Sequence, residues 1–282
     1  MLKQRIITAV LLLVLLLPAL FARALWPFAL LSLAMVGVAG WEWGRLNRLA
    51  SPAAVALGAA VVFAGVLSYA AGWVAATPPL LWWLAMVAWV LGGTWVLARG
   101  VSGWSLIAAP LRWAVGCVLL WAAWLALTQA KAVGVNFLLS VFTLVWAADV
   151  AAYFGGRALG RRKLAPAISP GKSWEGVWSG MAGVLLLAGA WIAFDRAVAP
   201  ESASVFSVLL ERLGVVGLLV SLLFLAALSV VGDLFESLVK RSAGAKDSSA
   251  LLPGHGGVLD RVDALLPVFP LALALCSVQV PA

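Results

Sequence analysis

Two pairs of acidic residues near the end of the chain have the residue types and the spacing of a site for a hard metal cation. Asp233 and Glu236 lie three positions apart, and Asp260 and Asp263 repeat that spacing after a glycine-containing turn. On a helix, positions three apart share a face, so each pair presents two carboxylates in one direction. Mg²⁺ prefers oxygen ligands and is usually held by one or two carboxylates together with substrate phosphate oxygens. Two such pairs therefore indicate a cation site beside a phosphorylated ligand.

A simpler explanation covers only part of the first pair. Glu236 and Lys240 stand four positions apart and can form an ordinary ion pair along the helix. Ser237 lies on the same helical face. The ion pair leaves Asp233 unexplained, so the cation site stays the fuller interpretation.

A second polar stretch, WAADVAAYFGGRALGRRKLAPAISPGKSWEG at residues 146–176, is rich in basic residues and glycine. Its glycines and prolines permit turns whose backbone N–H groups approach a phosphate, and Lys172 adds a point charge. Gly254, Gly256 and Gly257 give the backbone similar access in the later stretch. On charge alone, contact with lipid explains the basic loop equally well. Together with a metal, these residues indicate phosphoryl or nucleotidyl transfer, with an ion-coupled transporter as the alternative.

Two other kinds of site have less support. The tripeptide GKS at residues 171–173 resembles the end of a P-loop, but Pro166 stands where that motif begins with glycine, and no strand is expected before it. A zinc site lacks ligands, because His255 is the only histidine and both cysteines lie in apolar runs. The surroundings of His255 favour a phosphate contact or proton transfer, and a structural role in the loop is the alternative.

The elements that must position these residues are membrane helices. The chain has 282 residues, of which 65% are hydrophobic and 11% charged, whereas soluble domains carry about 25% charged residues. Apolar runs long enough to cross a bilayer recur throughout. We predict an all-α, polytopic transmembrane bundle of nine spans, with eight as the alternative because the second and last are short and contain proline. The spans are 6–22, 25–40, 53–73, 79–97, 113–129, 134–154, 177–194, 214–232 and 264–280.

The distribution of lysine and arginine predicts the orientation. If the N-terminus is cytoplasmic, fifteen of the 19 basic residues fall on the cytoplasmic side, as the positive-inside rule requires. A cleavable signal peptide is the alternative for residues 1–22, but its apolar stretch is too long and further spans follow. The net charge of +8 then reflects loops against anionic lipid, and nucleic acid is excluded as a partner. Residues 1–282 form one membrane domain, with a scaffold at 1–130 and a catalytic region at 131–282.

Both polar stretches, residues 146–176 and residues 232–263, resemble the phosphatidate cytidylyltransferase family, also called CDP-diacylglycerol synthases. The departures are mild: Ser249 stands where glycine is frequent, Val150 where a small polar residue is common, and Ala264 where serine often sits. The C-terminal signature is matched by Ser237, Lys240, Arg241, Lys246, Asp247, Pro253, His255, Gly256, Gly257, Asp260, Arg261 and Asp263. The earlier stretch matches through Asp149, Ala152, Tyr153, Gly156, Arg157, Gly160, Lys163, Leu164, Ala165, Pro166, Ser169, Pro170, Lys172, Ser173, Trp174 and Glu175.

The resemblance implies transfer of a cytidylyl group from CTP to phosphatidic acid, giving CDP-diacylglycerol and pyrophosphate at the cytoplasmic face of the inner membrane. It implies Mg²⁺ and leaves room for a second cation, with Asp233, Asp260, Asp263 and Glu236 as metal ligands. Asp233, Lys240, Asp260, Asp263 and His255 are the implied catalytic residues. The implied substrate-binding residues are Lys172, Ser173, Arg157, Lys163, Arg241, Lys246, Asp247, Gly256, Gly257 and Arg261.

Two other functions would use similar residues. A transporter or flippase for a phosphorylated lipid would use a similar basic cavity without chemistry. CDP-alcohol phosphotransferases also place aspartates near a membrane surface, but their combined pattern of an Asp-Gly pair, an Ala-Arg pair and two later aspartates is absent here. Whether the protein forms a homodimer stays open.

Overall fold

The computed structural model describes the backbone of residues 2–276 and the side chains from residue 6 onward, and it is almost entirely helical. The helices are α1 (Leu2–Phe21), α2 (Trp26–Leu46), α3 (Ser51–Ala70), α4 (Pro79–Val87), α5 (Thr94–Leu106), α6 (Ala109–Val133), α7 (Val135–Leu159), α8 (Trp174–Val198), α9 (Val205–Ser242), α10 (Leu259–Val262) and α11 (Leu265–Cys276). A π-helical turn, Ala88–Gly93, joins α4 to α5. Within the described chain, the one departure from the all-α prediction is an antiparallel hairpin of β1 (Lys163–Ala165) and β2 (Ser169–Ser173).

Six helical stretches between residues 2 and 276 are long and apolar enough to cross a bilayer, which agrees with a multi-pass membrane protein. A seventh apolar helix, Ile6–Phe21, is shorter. Two of the six stretches contain a break: Gly100, with a φ angle of 69°, interrupts Pro79–Leu106 beyond the predicted span 79–97, and Gly214, with a φ angle of 67°, interrupts α9 where the predicted span 214–232 begins. The last predicted span extends beyond the described residues. The total of nine spans therefore stays a prediction. The six long stretches are Ser51–Ala70, Pro79–Leu106, Ala109–Val133, Val135–Leu159, Trp174–Val198 and Val205–Ser242.

Small residues allow α7 and α8 to pack closely along their length. A Cβ atom on Gly176 would lie 2.9 Å from the carbonyl oxygen of Ala152, and one on Gly180 would lie 2.8 Å from that of Ala148. Glycines spaced four apart let two membrane helices approach backbone to backbone, where van der Waals contact replaces the hydrophobic driving force. This contact fixes the end of α7 beside the hairpin and the start of α8.

An aromatic cluster attaches the N-terminal helices to α9. The ring of Phe235 stacks on Trp43 of α2 with centroids 5.9 Å apart, and it meets Trp89 and Trp104 edge to face at 5.4 and 5.5 Å. All four side chains are buried. Edge-to-face and offset-stacked rings gain energy beyond the area they bury. The cluster therefore fixes α9 at Phe235, which lies next to Glu236 of the predicted site.

We expect Phe235→Ala to destabilise the protein by about 3 kcal/mol, because removing a buried ring leaves a cavity between three tryptophans. Thermal unfolding of the purified protein in detergent measures the loss. Phe63→Ala is the matched control, since Phe63 is 64% exposed on α3 and should shift the midpoint little. Equal shifts for both variants would show that the cluster does not hold α9.

Candidate functional site

The two polar stretches, separated by more than fifty residues, meet in the folded chain. Lys172 at the end of the hairpin places its Nζ 2.6 Å from Oδ2 of Asp233 on α9. Arg241 of α9 donates from Nε to the carbonyl oxygen of Ile168, at 3.3 Å. The site therefore contains residues from both regions, as the sequence motifs predict.

The segment around Lys172 is a strand rather than a glycine turn that encircles a phosphate. Lys163 pairs with Ser173 and Ala165 with Ser169, with an irregular register between the two pairs, so the approach of backbone N–H groups to a phosphate stays a prediction for this segment. Ser173 ends the strand and caps α8, since its Oγ accepts a hydrogen bond from the N–H of Gly176 at 3.2 Å. That cap satisfies a backbone donor that a helix N-terminus otherwise leaves unpaired. Ser173 is buried and also lines the neighbouring cavity, so its predicted contact with substrate stays a prediction.

A cavity of about 450 Å³ lies between α7, α8, α9 and the hairpin. Its polar end carries Asp149, Arg157, Lys172 and Asp233. The rest of its wall is apolar or small, and it is formed by residues that include Ala148, Val177, Gly180, Met181, Ala226 and Val230. A charged end continuous with an apolar wall suits an amphiphile with an anionic head group.

Lys240 lies in a buried ionic cluster on the neighbouring part of α9. Its Nζ is 2.5 Å from Oε2 of Glu236, one turn earlier, and 2.6 Å from Oδ1 of Asp260. The side chains of Lys240, Glu236 and Asp260 are only 11%, 2% and 6% exposed. The predicted ion pair between Glu236 and Lys240 is thus confirmed, and Asp260 makes it a triad. Oε1 of Glu236 has no hydrogen-bond donor among the described residues.

Asp260 is fully engaged by the protein. Besides Lys240, its carboxylate accepts from the N–H of Ser248 at 2.9 Å, the hydroxyl of Ser248 at 2.9 Å and the N–H of Gly257 at 2.8 Å. Burial raises the pKa of Asp260, but these hydrogen bonds outweigh it and lower the pKa to about 2. Asp260 is therefore a fixed anion that holds the preceding loop.

Asp263 has the opposite electrostatic environment. Burial and the charge of Asp233 raise its pKa to about 8. It follows α10 and lies against α9, where a Cβ on Gly232 would come within 2.5 Å of its carbonyl oxygen. The two carboxylates repel each other when both are ionised. A divalent cation bound between them would reduce that repulsion.

The four predicted metal ligands differ in how well they fit a cation. Within residues 2–276, no group of three or more acidic, histidine or cysteine side chains is arranged to hold a metal. Asp260 and Glu236 face Lys240 instead of open space. Asp233 and Asp263 offer oxygen ligands, and a bound cation would favour the ionised form of Asp263, so this pair fits Mg²⁺. The structure does not gather the four predicted ligands into one set.

The segment of residues 248–259, which we call the glycine loop, requires glycine at positions 254, 256 and 257. Gly254 and Gly256 have φ angles of 78° and 80°, which favour glycine. A Cβ on Gly257 would collide with the hydroxyl of Ser248 and with the carboxylate of Glu42. His255 donates its backbone N–H to Leu252, and its Nδ1 is buried without a hydrogen-bond partner in the described chain. The loop-structure role of its backbone is therefore observed, and its side chain stays available for a substrate contact.

The remaining predicted substrate-binding residues lie at the surface. Arg261 donates to the carbonyl oxygen of His255 at 2.5 Å, and Arg241 donates to that of Ala245 at 3.1 Å. Arg157 lines the cavity. The exposed members of the predicted set are Arg157, Lys163, Arg241, Lys246, Asp247 and Arg261.

Glu42 of α2 is a site residue that the sequence motifs do not contain. It is fully buried and accepts hydrogen bonds from both ends of the glycine loop. An acidic residue inside a tryptophan-rich apolar segment, WEWGRL, is the signal that could have drawn attention to it, because buried carboxylates in membrane helices are costly.

Comparison with known proteins covers nearly the whole chain. The sequence model of a family described as the cytidylyltransferase family matches residues 3–279. A phosphatidate cytidylyltransferase of Pseudomonas aeruginosa is 41% identical over 280 residues, which cover 98% of this chain and 97% of that protein. A phosphatidate cytidylyltransferase of Haemophilus influenzae is 37% identical and covers 96% of both chains. One from Bacillus subtilis is 38% identical over 138 residues, about half of each chain. The chain belongs to the cytidylyltransferase family.

Proposed function

We propose that the protein transfers a cytidylyl group from CTP to phosphatidic acid, which yields CDP-diacylglycerol and releases pyrophosphate. The contact between Lys172 and Asp233 carries the proposal, because it joins the two motif regions at the mouth of an amphiphilic cavity. Two relatives that match almost the full chain are phosphatidate cytidylyltransferases, which supports the same reaction.

In the proposed reaction, a phosphate oxygen of phosphatidic acid attacks the α-phosphorus of CTP in line. The bond between that phosphorus and the oxygen bridging to the β-phosphate breaks, and its electron pair leaves with pyrophosphate. The attacking phosphate is already ionised at neutral pH, so no strong base is needed. Positioning and charge neutralisation supply most of the catalysis in such transfers.

The two substrates have separate supports in this arrangement. The cavity between α7, α8 and α9 accepts phosphatidic acid, with Lys172 and Arg157 at the head group and the apolar wall beside the glycerol and acyl carbons. The glycine loop and Arg261 bind the triphosphate of CTP. Lys240 retains one of its three N–H donors beyond those directed at Glu236 and Asp260. Asp233 and Asp263 lie between the two supports and would hold Mg²⁺, which neutralises phosphate charge when bound.

The finer features of topology belong to the same proposal. Nine spans with a cytoplasmic N-terminus place both motif regions, 146–176 and 232–263, where CTP is found. The excess of basic residues on that side supports this orientation. The protein then lies in the cytoplasmic membrane of a bacterium, with 1–130 as scaffold and 131–282 as catalytic region.

The test is pyrophosphate release by purified protein supplied with CTP, phosphatidic acid and Mg²⁺. We expect release to require both substrates and to form CDP-diacylglycerol in equal amount, and ATP or GTP to replace CTP poorly. Movement of phosphatidic acid across vesicles without consumption of CTP would overturn the proposal in favour of a flippase.

We expect chelation of divalent cations to abolish pyrophosphate release and Mg²⁺ to restore it, with a pH dependence set by Asp263. Because the pKa of Asp263 is raised to about 8, the carboxyl is protonated below that pH and must lose its proton to bind a cation. The Mg²⁺ concentration for half-maximal activity should fall as pH rises from 6.5 to 8.5, by up to about tenfold per unit below pH 8.

Asp263→Asn is the control for that dependence, since the amide has no proton to lose in this range. Its residual activity should show no such trend with pH. An Mg²⁺ requirement in the unmodified protein that does not change over the same range would remove Asp263 from the ligand set.

A further inference from the structure

We propose that Glu42, on a helix far from both motif regions in sequence, is a positioning residue that holds the glycine loop in its substrate-binding shape. The kinetic part of this inference rests on the proposed function, because it assigns the loop to CTP. The structural part, that one buried carboxylate fixes the loop, stands on the contacts alone.

The carboxylate of Glu42 connects the two ends of the loop. Its Oε1 accepts from the hydroxyl of Ser249 at 2.6 Å and from the N–H of Val258 at 3.0 Å. Its Oε2 accepts from the N–H of Leu259 at 2.7 Å and lies 3.3 Å from the hydroxyl of Ser248, whose single proton has the nearer acceptor in Asp260 at 2.9 Å. Glu42 is 0% exposed. Three donors from one loop, the hydroxyl of Ser249 and the N–H groups of Val258 and Leu259, therefore converge on a single side chain that water does not reach.

The loop cannot replace these contacts from its own residues. Val258 is the N-cap of α10, a helix of four residues, and Leu259 is its first residue. Their N–H groups therefore have no partner within the helix. A buried N–H without a partner costs about 1–3 kcal/mol, so the loop would rearrange to reach water if Glu42 were absent. Gly257 lies between the loop ends with no room for a side chain beside Glu42. The loop conformation and Glu42 are therefore mutually dependent.

Ser248 extends the effect of Glu42 to the ionic triad. Its hydroxyl contacts Glu42 on one side and Oδ2 of Asp260 on the other, at 3.3 and 2.9 Å. Asp260 in turn fixes Lys240 at 2.6 Å. A loop displaced from Glu42 would thus release one side of Asp260 and disturb the charge presented by Lys240. Outer hydrogen-bond partners of this kind usually change affinity or activity by about 10- to 100-fold.

Glu42→Gln tests the inference with almost no change in side-chain size. The amide keeps one acceptor oxygen but turns an NH₂ group toward the N–H of either Leu259 or Val258, which leaves that buried donor without an acceptor. We expect kcat/KM for CTP to fall about 10- to 100-fold. The KM for phosphatidic acid should stay within about twofold, because Glu42 does not line the cavity.

Hydrogen–deuterium exchange of the loop provides a readout independent of activity. In full-length protein in detergent, the amides of Val258 and Leu259 should exchange at least about tenfold faster in Glu42→Gln than in the unmodified protein. Ser32→Ala is the matched control, since Ser32 is buried in the same helix but bonds only to the carbonyl oxygens of Phe28 and Ala29. It should leave both exchange and kinetics unchanged.

The exchange and kinetic measurements test the role of Glu42 separately from the proposed enzyme activity. Unchanged exchange and unchanged CTP kinetics in Glu42→Gln would overturn the inference even if the enzyme activity is confirmed. A protein that consumes no CTP would overturn the proposed function, and the exchange rates would still decide whether Glu42 holds the loop. If Glu42→Gln does not fold, the double variant Ser248→Ala/Ser249→Ala takes its place. Its kcat/KM for CTP should fall about three- to tenfold, and unmodified values would overturn the inference.

Discussion

Replacing Asp233 by asparagine should lower pyrophosphate release by about a thousandfold while the protein stays folded. Asp233 is the residue at which the two motif regions meet, 2.6 Å from Lys172, and it lies close enough to Asp263 to raise that residue's pKa. Asparagine removes the negative charge that the proposed cation requires, and one preorganised charge interaction is typically worth 10²- to 10³-fold in rate. The loss should appear in kcat at saturating substrates, measured as pyrophosphate released per enzyme.

The folded state should tolerate this change. The side chains of Lys172 and Asp233 are 24% and 32% exposed, and partly solvated pairs contribute about 1 kcal/mol or less. The thermal midpoint should therefore shift by only a few degrees. Glu201→Gln removes an exposed acid and should keep full activity. An Asp233→Asn enzyme with more than a tenth of normal activity would remove Asp233 from the catalytic centre.

Local patterns were sufficient to predict the helical part of the site. Glu236 and Lys240 share a face because helix geometry alone sets a four-residue spacing, and the structure confirms their contact. The apolar runs likewise predict helices, because runs of this length span a bilayer as helices that satisfy all their own backbone groups. The hairpin at residues 163–173 was not predicted, since three- and five-residue strands are too short to show a periodic pattern.

Long-range contacts explain what the sequence could not predict. Glu42 reaches Ser249 across 207 positions, and no local spacing encodes that pairing. The direction in which Asp260 points is also set at a distance, by the N–H groups of Ser248 and Gly257 and by Lys240. A motif fixes which residue types are present but not whether a carboxylate faces a cavity or a buried lysine. The difference matters here because Asp260 was predicted as a metal ligand and is engaged by protein donors.

Replacing Lys240 by methionine should destabilise the protein by about 3–5 kcal/mol, as breaking a buried ion pair usually does. Lys240 is the only cation within 4 Å of Glu236 and Asp260 in the described chain. Asp260 would keep three other donors, from Ser248 and Gly257, so most of the cost falls on Glu236. Thermal unfolding in detergent measures the loss, and pyrophosphate release measures the activity.

A double variant separates the structural role of Lys240 from its role in catalysis. In Lys240→Met/Glu236→Leu, the buried charge that lost its partner is removed as well, and apolar replacements of similar volume are often neutral or stabilising. We expect most of the lost stability to return. Activity should stay at least about a hundredfold below normal, because methionine cannot donate to a phosphate. Recovery of activity together with stability would show that Lys240 only holds the fold, and the phosphate-binding role would then pass to the exposed Arg261 and the glycine loop.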